Sequence, residues 1–166
     1  MKDDFASLFA FNRWANDKML DACRKLSAEQ YAAEPAPGWA PVRSTVYHIA
    51  VVTDGWLRAL AADPDQNFPT EAEVPTVEDA ARILDRAYQT LDRLLPTLTP
   101  ELLATPRTFS RRGRTSVLLP WVVLRHVVNH TTYHRGQVAS KLKRFGVVQA
   151  ETDLVFWARE QLPQGP

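Results

Sequence analysis

The chain has 166 residues, 45% of them hydrophobic and 23% charged, with a formal net charge of +1. That length and balance fit one soluble globular domain over residues 1–166 and give no electrostatic reason to expect nucleic acid as a partner. No apolar run approaches the roughly 18 residues a membrane-spanning helix needs, and the lone Cys23 cannot form an intramolecular disulfide, which fits a reducing cytoplasm.

The opening Met1-Lys2-Asp3-Asp4-Phe5 is acidic and amphipathic, unlike a secretion signal. A helix is expected from about Asp3 to Leu26. Phe5, Leu8, Asn12, Ala15, Met19, Ala22 and Leu26 recur by threes and fours along one seam. Asn12 interrupts that seam, either as a buried polar group that sets register or as a group near a site. Phe11 and Trp14 lie off the seam and imply a second buried face, such as a subunit contact. Cys23 has no base or cation in its local sequence and reads as an inert buried thiol.

Ser27 to Gln30 reads as a capped helical turn, and Glu34 to Pro41, with three prolines and Gly38, as a rigid loop. Trp39 in that loop either lids a pocket or packs on the bundle end. A second helix is expected from Val42 to Ala61, its apolar arc formed by Val46, Ile49, Val52, Thr53, Trp56, Leu57 and Leu60. His48 falls ~40° outside one edge of that arc. A third helix begins at the N-cap Thr76, with Glu78 and Asp79 in its first turn, and ends before Pro96 and Pro100.

Thr105 to Ser116 reads as a small irregular or hairpin insert around Gly113. It holds Arg107, Arg111, Arg112 and Arg114, a solvated cluster or a grip for phosphate or carboxylate groups. A fourth helix follows from Leu118 to Phe145, stopped by Gly146, and a short one from Glu151 to Glu160. Four long amphipathic helices make the fold class all-α, a four-helix bundle with a short C-terminal helix.

Three of the four histidines, His126, His130 and His134, sit at four-residue intervals on the fourth helix. On a helix, residues i and i+4 stack one above the other, so two imidazoles can converge on one metal ion. Taking His130 as zero and ~100° per residue, the core face of that helix spans ~20° to ~120°. His134 lies at ~40°, His130 at the edge and His126 at about −40°. The pair aimed into the bundle is therefore His130 with His134, and His48 is the only histidine left to supply a third ligand. The bland alternative, surface or hydrogen-bonded core histidines, leaves ring nitrogens to be satisfied in an apolar interior. Three neutral imidazoles suit zinc, nickel, copper or iron(II), and softness alone does not choose among them; zinc or nickel is the divalent metal expected. Three protein ligands leave a position open for water or substrate.

These residues resemble the DinB/YfiT-like four-helix-bundle metalloproteins. The likeness rests on Thr45-Val46-Tyr47-His48-Ile49 with Asp54-Gly55-Trp56-Leu57, and more strongly on His126-Val127-Val128-Asn129-His130 through His134-Arg135-Gly136-Gln137-Val138. Phe11-Asn12-Arg13-Trp14-Ala15-Asn16 and Thr152-Asp153-Leu154 extend it over nearly the whole chain. The resemblance implies a divalent metal held by His48, His130 and His134. It also implies S-transferases that use a low-molecular-weight thiol, and homodimers, and no DNA-binding surface. A small thiol or electrophile would be the substrate. A non-enzymatic metal-binding or stress-related protein and a metal-dependent hydrolase are the alternatives. No general base stands out beside the ligands: Asp54 lies ~120° from His48 in helical phase. Arg135 and Gln137 read as residues that tie helices together.

Overall fold

The computed structural model describes residues 2–65, 67–111 and 114–162. Among them are seven α-helices: α1 (Lys2–Cys23), α2 (Ala28–Ala32), α3 (Val42–Leu60), α4 (Val77–Leu94), α5 (Pro100–Ala104), α6 (Pro120–Arg144) and α7 (Leu154–Gln161). An antiparallel hairpin, β1 (Arg107–Arg111) and β2 (Arg114–Leu118), precedes α6 and pairs Phe109 with Ser116. The chain is a helical bundle with one small hairpin, as the apolar periodicity predicts.

The four long helices form a closed ring, in which α1 packs on α6 and α4 and α3 packs on the same two. Phe5, Ala15 and Met19 of α1, Val46, Ile49 and Leu57 of α3, Ala80 and Ala87 of α4, and Leu124, Val138 and Leu142 of α6 are almost fully buried between them. Each such large aliphatic side chain contributes about 1.5–3 kcal/mol when withdrawn from water.

Local chemistry explains where the elements begin and end. Thr76 and Asp79 exchange backbone and side-chain hydrogen bonds at 3.0 and 3.1 Å, a capping box that starts α4. At the end of α6, Gly146 takes φ +74°, where a side chain would be strained. Its amide and that of Val147 then reach Lys143 and Leu142 carbonyls at 3.1 and 3.0 Å. Helix α6 starts two residues later than its periodicity implies. Strand β2 holds Leu118 extended, and Pro120 keeps Leu119 out of helical conformation while occupying the first helical position itself. Proline also starts α5, a helix that the reading of Pro100 as a breaker missed: Thr99 caps it through a 3.2 Å bond from Leu102 N.

The second buried face of α1 is real, but its cover comes from the same chain. Trp157 of α7 meets Phe11 edge-on at 6.2 Å, and the Trp14 indole N–H donates to Glu160 at 2.7 Å. Trp39 lies in the α2–α3 loop, 42% exposed, and is no part of the core. The Arg112–Gly113 turn and the side chains of Arg111 and Arg114 lie outside the described residues. Arg107 does not point to solvent: it donates to the Leu60 carbonyl at 3.0 Å and docks the hairpin on the end of α3.

Cys23 is fully buried, and burial pushes its thiol up to about 12. Thiolate is therefore scarce at pH 8, and Ellman's reagent is expected to label Cys23 only after denaturation. Rapid stoichiometric labelling of the native protein would contradict that burial.

Candidate metal centre

Helix α3 is central to the bundle, buried on one side against α4 and on another against α6. Thr45, His48, Val52 and Trp56, spaced three and four apart, line its α6 side. Opposite them, Lys141 Nζ donates to Thr45 Oγ1 at 2.6 Å, and His126 meets the Trp56 ring edge-on at 5.6 Å. Partners ascend along α3 as they descend along α6, so the two helices run antiparallel. Midway along this seam sit the histidines.

His48 Nε2 lies 3.0 Å from His130 Nε2. Ring centroids are 4.9 Å apart for His48 and His130, 4.6 Å for His48 and His134, and 4.4 Å for His130 and His134. One ring nitrogen from each can be chosen so that all three lie within 4.8 Å of one another. All three side chains are half-buried. Converging nitrogens at this separation repel unless a proton or a cation lies among them. A single shared proton serves one pair and leaves the third ring facing it. A cation serves all three: metal–nitrogen bonds of about 2.0–2.1 Å put neighbouring ligand nitrogens roughly 3 Å apart, the separation seen between His48 and His130. The donor set therefore fits a divalent metal of the borderline class.

His134 Nδ1 is 2.8 Å from Gln137 Oε1. The amide oxygen only accepts, so Nδ1 carries the proton and Nε2 keeps the lone pair a metal needs. Gln137 thus orients a candidate ligand, rather than joining helices as the sequence reading supposed. The i, i+3 spacing on one helix face was the signal available for it. Replacing Gln137 with Leu is expected to weaken metal binding about 10–100-fold, the usual loss when such a partner is removed. Competition against a chromophoric chelator measures it, and unchanged affinity would remove Gln137 from this role.

His126 is exposed and its ring centroid is 5.4 Å from that of His130. It packs between His130 and Trp56 and stays outside the group of three. Trp56 in turn meets Phe109 of β1 at 6.1 Å, so the hairpin abuts this end of the seam. Asp54 faces α4, where its carboxylate accepts from Arg86 at 2.7 and 3.1 Å. It is no base for the histidines. Asn12 resolves as a bridging residue: its side-chain oxygen accepts from Thr131 and Arg135 of α6, and its amide donates to Tyr88 of α4.

A ring of four helices carrying one histidine on α3 and an i, i+4 pair on α6 defines a four-helix-bundle protein with a three-histidine site able to hold a metal. Residues 1–165 match the DinB family, and the chain belongs to that family. It is 30% identical over 162 residues to Protein DinB of Bacillus subtilis, covering 90% of this chain and 91% of that protein. A crystal structure of a DinB-like protein from Bacillus cereus superposes with a TM-score of 0.72 at 19% identity, over 90% of this chain and 95% of its own. A DinB-like protein from Bacillus subtilis gives 0.61 at 16% identity, over 88% and 96%. A further relative described only as a four-helix bundle protein gives 0.60 at 19%, over 82% and 98%.

Proposed function

We propose that this protein binds a divalent metal through His48, His130 and His134 and uses it to activate a low-molecular-weight thiol for transfer to an electrophile. The observation that carries the metal reading is the group of three imidazole nitrogens within 4.8 Å, drawn from α3 and α6. When bound, such a metal supplies a positive charge that favours the thiolate at neutral pH. The chain's own residues supply the rest. His48 and the α6 pair present three nitrogens and leave room for an exchangeable ligand. Gln137 keeps His134 in the tautomer with its lone pair on Nε2. The half-buried setting between α3 and α6 limits water around the site.

Zinc and nickel are the metals we favour. A reducing cytoplasm is the compartment we propose, since the one thiol of the chain is buried and has no cysteine to pair with. Among the described residues no helix is long and apolar enough to cross a membrane.

Elemental analysis of purified protein, followed by reloading with zinc or nickel, tests the first half. Stoichiometric metal is expected, and protein that neither retains nor accepts it sinks the proposal. Small thiols screened against a chromogenic electrophile test the second half. Turnover that needs the metal supports a transferase, and its absence from metal-loaded protein leaves a metal-binding protein without this activity.

A further inference from the structure

Arg135 is 1% exposed, and among the described residues every group that meets its guanidinium is neutral. Nη1 donates to Asn12 Oδ1 and Asn16 Oδ1 at 3.0 Å each and to Thr131 Oγ1 at 3.3 Å, while Nη2 donates to Thr132 Oγ1 at 2.8 Å. The Phe11 ring lies against it, 5.5 Å from centroid to guanidinium. Tyr88, whose hydroxyl accepts from both asparagines, is neutral too, since burial raises its pKa. A guanidinium keeps its charge at neutral pH even when buried. The other deeply buried arginine, Arg58, lies 3.1 Å from the carboxylate of Asp54. A buried charge without an opposite one is costly, so its retention here calls for a reason.

Its position supplies one. Thr131 and Thr132, which hold the guanidinium, are residues between His130 and His134. The charge therefore shares two turns of α6 with the histidines, on a face ~100° from His134 and ~140° from His130 of a helix about 10–12 Å across. Salt screens such a buried charge poorly.

We infer that Arg135 is a fixed electrostatic element of the three-histidine site, biasing its exchangeable ligand toward anions such as thiolates and away from neutral molecules. The inference rests on the metal-binding reading and names the class of ligand for it. Arg135 touches no ligand itself and acts as a positioning residue through its charge.

The test adds a countercharge without moving the guanidinium. Asn12→Asp and Asn16→Asp each put a carboxylate oxygen where an amide oxygen already accepts from Nη1, and the Tyr88 hydroxyl can turn to donate to it. In full-length protein loaded with cobalt(II), azide is expected to bind about tenfold more weakly in either variant. Neutral imidazole is expected to bind unchanged, and cobalt itself, which carries two charges, about 100-fold more tightly. Tenfold is the scale of two unit charges roughly 10 Å apart at an effective dielectric of about 20. Arg135→Lys retains the ratio of azide to imidazole affinity, and Arg135→Met lowers it. Either aspartate variant suffices if the other does not fold. A clamp that is only structural predicts azide and imidazole shifting together, or neither shifting, and that result overturns the inference while the metal site stands. Wild-type protein that takes up no cobalt overturns both.

Discussion

His134→Ala and His130→Ala are each expected to weaken zinc or nickel binding by more than about 100-fold, and His126→Ala by less than about threefold. A three-nitrogen site that loses one nitrogen loses more than the 10–100-fold typical of removing a residue behind a ligand. The asymmetry among three histidines on one helix is what makes the test sharp. His130 and His134 present rings to His48 across the α3–α6 seam, with centroids 4.9 and 4.6 Å away. His126 is one turn closer to the hairpin and turns its ring to Trp56 instead. Chelator competition on the three variants measures the affinities, and circular dichroism checks that each remains folded. A loss for His126→Ala equal to that for His134→Ala would mean that the site is centred one turn away from where we put it. His48→Ala should match the two large losses, since the one remaining histidine, His126, turns its ring to Trp56.

Asp54→Ala is expected to destabilise the fold by about 3–5 kcal/mol, the penalty for removing one partner of a buried ion pair. Asp54 is fully buried, and its carboxylate lies 3.1 Å from Arg58 Nε, on a side chain only 3% exposed. Removing it strands that guanidinium. The half-exposed Arg86 contributes less, since water screens it. Arg58 also donates to the carbonyls of Asp65 and Asn67 at 2.7 Å each and stacks over Phe68, so it holds the loop that follows α3. Hydrogen exchange around residues 63–69 should therefore rise together with the drop in urea midpoint. A loss below about 1 kcal/mol would mean that Asp65, which also pairs with Arg58 at 3.1 Å, compensates from the surface.

Much of this architecture is legible before any coordinates. The apolar seams of α1, α3, α4 and α6 have the helical period, and Thr76 and Gly146 mark ends for stereochemical reasons that act within a few residues. Even the choice of His130 and His134 over His126 follows from rotation about a single helix axis. Reasoning of that kind fails where a residue's partner lies far away in the chain. Asn12 had two readings until α6 was set beside α1. Phe11 and Trp14 announced a buried face without saying that α7 would cover it. Gln137, by contrast, is a local partner, three residues from His134 on one helix face.

His48 shows the division most clearly. Its own helix places it beside an apolar arc and says nothing of what it meets, because helical period fixes a direction and not a neighbour. The helices, their buried faces and the histidine pair on α6 are all set by interactions within one or two turns. Helix packing alone sets α3 antiparallel to α6 at the register that brings His48 Nε2 to 3.0 Å from His130. It alone left Arg135 buried among neutral groups, because both outcomes depend on how separate helices share one core.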